Sequence, residues 1–226
     1  FRPEVFLFNI GGDKLSTDCA ASRDRMLAEV PDIIFHEVKD RFSMPKITTN
    51  HLVIDGLFGS GLREELQGGF KSLVQYINDE NATVVSIDLP SGMFGDWNPQ
   101  IVNRNTIHAT LTLAIQFPRI SFFIPDNAEL IGEWKIIDIG LREKAIATSP
   151  ANFCLVEQRD VHRRLRHRKE FASKADFGSG ILYAGSYGMM GAAILAARGA
   201  LRAGVGKLTV NSPKCGYQIM QSSVPE

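Results

Sequence analysis

His51-Leu52-Val53-Ile54-Asp55-Gly56-Leu57-Phe58-Gly59-Ser60-Gly61 is the stretch on which the fold turns. An apolar, β-branched run ends in a carboxylate and passes directly into a glycine-rich loop. Phe70, Leu73, Val74 and Ile77 follow at i, i+3, i+4 and i+7, the spacing of an amphipathic helix. Thr83-Val84-Val85-Ser86-Ile87-Asp88 repeats the theme, with Pro90-Ser91-Gly92 as its loop. Strand, helix, strand, with near-continuous Val/Ile/Leu in the strands, predicts an α/β fold: a Rossmann-like, doubly wound, mostly parallel sheet covered on both faces. Ligands of such sheets bind outside the carboxyl ends of the strands. Asp55 and Asp88 are placed there, which points to a nucleotide-type site.

Working outward, Val5 to Phe8 reads as a short strand closed by Gly11-Gly12-Asp13. Ser16 offers a helix N-cap, Cys19, Met26 and Val30 fall near one helical face, and Pro31 ends the helix. Ile33 to Phe35, Thr110 to Ile115 and Trp134 to Ile139 read as further strands, with a short helix around Asn127 to Leu130. Residues 1–150 are therefore expected to form one domain. Residues 151–173, with Arg159, His162, Arg163, Arg164, Arg166, His167, Arg168 and Lys169, read as a linker or an exposed helix between domains. A second βαβ start follows over 174–226: strand Ile181 to Ala184, loop Gly185 to Gly188, Ala-rich helix Gly191 to Ala203 and strand Lys207 to Val210. With no initiator Met and a strand from the first residues, the chain reads as part of a longer polypeptide.

Composition narrows the function. Lys+Arg and Asp+Glu both number 25, so net charge argues for neither nucleic acid nor an anionic membrane. The basic stretch is mixed with Glu157, Asp160 and Glu170 and lacks aromatic platforms, so no nucleic-acid partner is expected. Cys19, Cys154 and Cys215 are odd in number and widely spaced, which suits a reducing, cytoplasmic setting and no metal cluster. No apolar run is long enough to span a membrane.

Three loops could carry chemistry. In Gly59-Ser60-Gly61, glycines would let backbone N–H groups turn toward an anion, the following helix would add its N-terminal charge, and Arg63 could pair with a phosphate. The same residues also read as a tight strand-to-helix turn without a ligand. Asp88 is a candidate general acid/base and Ser91 a hydroxyl donor to a hard cation; alternatively, Asp88 caps a local turn. The third loop, Gly185-Ser186-Tyr187-Gly188-Met189-Met190-Gly191, fits neither a Walker A loop nor a dinucleotide fingerprint, and close helix-on-strand packing explains it equally well.

Taken together, Leu52 to Leu62 with Ile87-Asp88-Leu89-Pro90-Ser91-Gly92 resembles the NAD(P)H-hydrate epimerase family. Phe177-Gly178, Ala184 to Ala193 and Gly204-Val205-Gly206-Lys207-Leu208-Thr209-Val210 resemble the start of the ADP/ATP-dependent NAD(P)H-hydrate dehydratase family, which has a ribokinase-like fold. The resemblance implies metabolite repair: interconversion of the R and S hydrates of NADH and NADPH at C6 of the ring, then dehydration of the S form with ADP or ATP and Mg²⁺. It implies K⁺ held by Asp55 and Ser91, and substrate binding by Gly59, Ser60, Gly61, Leu62, Arg63, Glu64, Glu65 and Asp88. Asp88 becomes the candidate for proton transfer, Ala192 and Ala193 join the dehydratase pocket, and self-association into a homo-oligomer is expected. The family's Asn-Asn-Gly-Gly-Asp phosphate loop would precede Val5, and Gly11-Gly12-Asp13 is not assigned that role. Competing readings are a non-catalytic nucleotide- or partner-binding module and a ribokinase-like sugar kinase.

Overall fold

A computed structural model describes residues 2–11, 15–41, 43–96, 105–165 and 167–226. Gly12, Asp13 and Arg166 of the features above lie outside the described residues. The chain divides into two compact units, Phe1–Pro150 and Ala151–Glu226.

In the first unit, β1 (Glu4–Phe8) runs through α1 (Thr17–Glu29) to β2 (Ile34–Val38), and the two strands pair in parallel. Ser16 caps α1: its Oγ accepts the Cys19 N–H at 3.2 Å. Cys19 and Met26 are half-buried, as the periodicity predicts. Val30 is not on that face. It is the residue that terminates α1, its backbone has left the helical conformation, and it is 44% exposed.

The second sheet of this unit carries the quoted stretch. β3 (Leu52–Asp55), β4 (Thr83–Ile87), β5 (Leu111–Ile115) and β6 (Glu133–Ile137) lie side by side in that order, every neighbour parallel. α2 (Gly68–Asp79) makes the β3–β4 crossover. Its Leu73, Val74 and Ile77 are buried against Leu66, Val84, Ile107 and Ala109, with Val53 and Phe70 packed around them. Phe58 meets Phe70 edge-on, ring centroids 4.9 Å apart. The β5–β6 connection is two 3₁₀ turns, Ile120–Phe123 and Pro125–Asn127, running into α3 (Ala128–Ile131). A second core lies there, of Leu89, Met93, Ala114, Phe122, Leu130 and Ile131. α4 (Glu143–Thr148) follows β6.

The register places Asp55 opposite Ser86 and Val53 opposite Val84. These four share the face packed toward α2. Ile54, on the opposite face of β3, is 58% exposed.

In the second unit, part of the basic stretch takes the helical alternative: α5 (Gln158–Arg164) opens on a capping box of Glu157 and Asp160 and buries none of its residues. β7 (Ser179–Tyr183) and β8 (Lys207–Asn211) pair in parallel around α6 (Gly191–Ala203), and α7 (Tyr217–Ser223) comes last. Gly204 closes α6 with φ 104°, a left-handed conformation that disfavours a side chain. No helix among the described residues is long and apolar enough to cross a membrane.

The α2 face supports the site from below, so its truncation is informative. Leu73→Ala, at a position 4% exposed, is expected to lower unfolding free energy by about 2–5 kcal/mol. Leu27→Ala on exposed α1 is expected to stay within about 0.5 kcal/mol. Urea denaturation of the two variants checks the difference.

Candidate functional site

Two carboxylates at neighbouring strand ends organise the site. Asp55, the last residue of β3, is 3% exposed. A buried carboxylate has to be hydrogen-bonded to be tolerated, and Asp55 accepts from four donors. Its Oδ1 takes the Ser91 hydroxyl at 2.5 Å and, at 3.4 Å, the Leu57 N–H. Its Oδ2 takes the Ser86 hydroxyl and the Ser91 N–H, each at 2.8 Å. Ser91 Oγ in turn accepts the Phe58 N–H at 3.0 Å. The carboxylate thus ties the loop after β3 to the loop after β4.

The same point gathers oxygens. Beside Asp55 Oδ1 and Ser91 Oγ stands the Phe58 carbonyl, 3.4 Å from the hydroxyl. One carboxylate with neutral oxygens is a donor set that suits a hard cation of low charge. The hydrogen bonds already satisfy the carboxylate in its absence.

Asp88 sits where β4 stops. Its φ is 68°, left-handed, a conformation that costs an ordinary residue about 1 kcal/mol or more and that Asp tolerates better than most. Its N–H bonds to Leu113 O at 2.9 Å, on neighbouring β5. The turn throws the carboxylate toward the first loop. Oδ2 accepts the Ser60 N–H at 3.0 Å, and Oδ1 accepts Arg119 Nη2 at 3.0 Å. Gly59 makes room for this approach: a Cβ there would lie 2.9 Å from Asp88 Oδ2, and the carboxylate would have to shift.

Of the residues expected in the first-unit site, Gly59 and Ser60 therefore meet Asp88 directly. Gly61 and Leu62 continue the turn, in which the Leu62 N–H reaches Gly59 O at 3.2 Å, and Leu62 packs on the α2 core. Arg63, Glu64 and Glu65 are exposed along the same loop. Ala192 and Ala193 belong to the second unit, at the start of α6. Ala193 is fully buried and packs beneath the Gly185 turn, where an added Cβ would approach its own at 3.3 Å.

Two residues at the site were missed in the sequence. Ser86 is a small hydroxyl inside an otherwise apolar run, two residues before Asp88, and it faces Asp55. Arg119 follows β5 in Gln116-Phe117-Pro118-Arg119, which copies the pattern of Asp88-Leu89-Pro90-Ser91. That repeated spacing was a signal available from sequence alone.

Residues 3–121 match the family model described as YjeF-related protein N-terminus. Among curated proteins, the chain is 32% identical over 184 residues to a bifunctional NAD(P)H-hydrate repair enzyme Nnr of Moorella thermoacetica, covering 77% of this chain and 34% of the relative. It is 32% identical over 155 residues to the protein of the same name from Thermofilum pendens, covering 69% and 28%. An NAD(P)H-hydrate epimerase of Rhodopirellula baltica is 29% identical over 115 residues, covering 51% and 46%. The chain spans about a third of the length of the bifunctional relatives it matches.

Asp55→Asn tests the tie between the loops. Whichever way the amide turns, its NH₂ meets a backbone N–H, that of Ser91 or that of Leu57. The expected loss is about 1–3 kcal/mol, the cost of leaving a buried donor unpaired, read as a lower thermal midpoint with secondary structure unchanged by circular dichroism.

Proposed function

The chain belongs to the YjeF-related protein N-terminus family, and from that footing we propose that its first unit is an NAD(P)H-hydrate epimerase acting on the R and S hydrates of NADH and NADPH. The observation that carries the proposal is the meeting of Asp88 with the Gly59–Ser60 turn at the strand ends. It brings a carboxylate and a glycine-rich loop to one place, which is what a substrate with both a reactive ring and phosphates needs.

The chemistry asks for one mobile proton. C6 of the hydrate carries a hydroxyl beside the ring nitrogen. A carboxylate that takes the hydroxyl proton lets C6=O form as the C6–N1 bond breaks, with N1 collecting the proton. Rotation and re-closure on the other face reverse each transfer and give the other epimer. Asp88 is our candidate for that base; it is only 13% exposed and fixed from two sides. Such a group typically contributes about 10²–10⁴-fold in rate. Gly59, Ser60, Gly61 and Leu62, with Arg63, Glu64 and Glu65, would border the substrate phosphates.

Potassium fits the oxygens beside Asp55. Asp55 and Ser91 would hold it, and when bound it would offset phosphate charge. The second unit we read as the start of an ADP/ATP- and Mg²⁺-dependent dehydratase, with Ala192 and Ala193 near its substrate; that the relatives are bifunctional repair enzymes supports that reading.

The test uses the full-length protein, R-NAD(P)H hydrate and ADP or ATP, with NAD(P)H recovery followed by absorbance. Recovery from R and S forms is expected. Asp88→Asn should abolish the acceleration of epimerisation, leaving the R form to be used only as fast as it epimerises uncatalysed, and leave dehydration of the S form intact. No recovery from either epimer would sink the enzyme reading, and loss of both in the variant would make Asp88 structural.

A further inference from the structure

The ends of β4 and β5 are built alike. Asp88 and Gln116 both have left-handed φ, 68° and 61°. Each passes its N–H to the next strand, Asp88 to Leu113 O and Gln116 to Ile137 O. After each, the following residue's N–H folds back on the strand's last carbonyl: Leu89 to Ile87 O at 2.9 Å, Phe117 to Ile115 O at 2.7 Å. Each turn then places a proline and a polar residue: Pro90-Ser91 and Pro118-Arg119.

In both cases that polar residue reaches back to the carboxylate ending the preceding strand. Ser91 meets Asp55 from β3, and Arg119 meets Asp88 from β4. A stagger of one strand relates the two contacts. Ser91 is neutral and leaves Asp55 sealed; Arg119 is cationic, and it meets a carboxylate that still has open surface.

From this repeat we infer that Arg119 is the positioning residue for Asp88 in the epimerase reaction, an inference that rests on the function proposed above. Arg119 makes one contact, through Nη2 to Oδ1, and not the bidentate pairing that would cover both oxygens. Oδ2 is left to the Ser60 N–H, so the two partners fix the carboxylate plane between them. Arg119 Nε is buried and has no hydrogen-bond partner among the described residues. The guanidinium therefore reaches Asp88 through Nη2 alone, from one side of the carboxylate. Its stem passes over Gly95, where an added Cβ would lie 3.6 Å from Arg119 Cδ.

The experiment compares Arg119→Met and Arg119→Lys in the full-length protein. R–S interconversion gives kcat and KM, and hydrogen–deuterium exchange of the peptide holding Ser60 gives the state of the Asp88 contact. For Arg119→Met, kcat should fall about 10²-fold, the lower end of what a general base contributes. KM should stay within about twofold, and the Ser60 peptide should exchange faster. Arg119→Lys, which restores a single point charge, should recover part of kcat and of the protection. Wild-type kcat in Arg119→Met, a change confined to KM, or unaltered Ser60 exchange would each overturn the assignment. Should the wild type fail to interconvert the epimers, the function fails by that result alone, and Ser60 exchange still decides whether Arg119 positions Asp88.

Discussion

The buried carboxylate of Asp55 is the constraint on which the rest of the site depends. A charge 3% exposed at a strand end is stable only if donors surround it. The donors come from two places in sequence, the loop it begins and the strand and loop one crossover later. Satisfying that charge therefore brings the two loops together. The parallel register supplies Ser86 directly opposite, and the Asp88 turn delivers Ser91 with both its hydroxyl and its N–H. Once these are in place, the first loop has little freedom, and the Ser60 N–H is left facing Asp88.

Asp88 then has the opposite character. It is held by two partners instead of four, keeps some exposure, and stands in a left-handed backbone conformation that turns its carboxylate toward the first loop. The same turn one strand further on brings Arg119 to it. The strand ends thus form a staggered series, in which each loop closes the carboxylate of the strand before. The first closure is neutral and complete. The second is ionic and incomplete, which is the arrangement expected where a carboxylate must meet something other than protein.

Much of this was legible in the sequence. The parallel strands followed from apolar, β-branched runs separated by a helix at 3.6-residue spacing, and the α2 face of Leu73, Val74 and Ile77 is the one that periodicity selects. The placement of Asp55 and Asp88 followed from the strand-end rule. What escaped was long-range: Ser86 matters only because register sets it opposite Asp55, and Arg119 only because β5 lies beside β4. Neither neighbour relation is written in local spacing, although the repeat of Asp88-Leu89-Pro90-Ser91 in Gln116-Phe117-Pro118-Arg119 marks the second turn. Val30 escaped for a different reason. Periodicity places a residue on a face but does not say where the helix stops, and Pro31 stops it one residue too early for Val30 to pack. Gly59 was legible as a glycine, but the room it leaves for Asp88 Oδ2 was not, since that contact comes from the next strand.

In the function proposed, these strand ends invert C6 of a hydrated nicotinamide ring. The most direct measurement starts the full-length protein from each pure epimer with no nucleotide added, so that dehydration is silent, and follows R and S by chromatography. Both starting materials are expected to converge on one R–S mixture far faster than without protein. Each epimer persisting at its uncatalysed rate would contradict the proposed function.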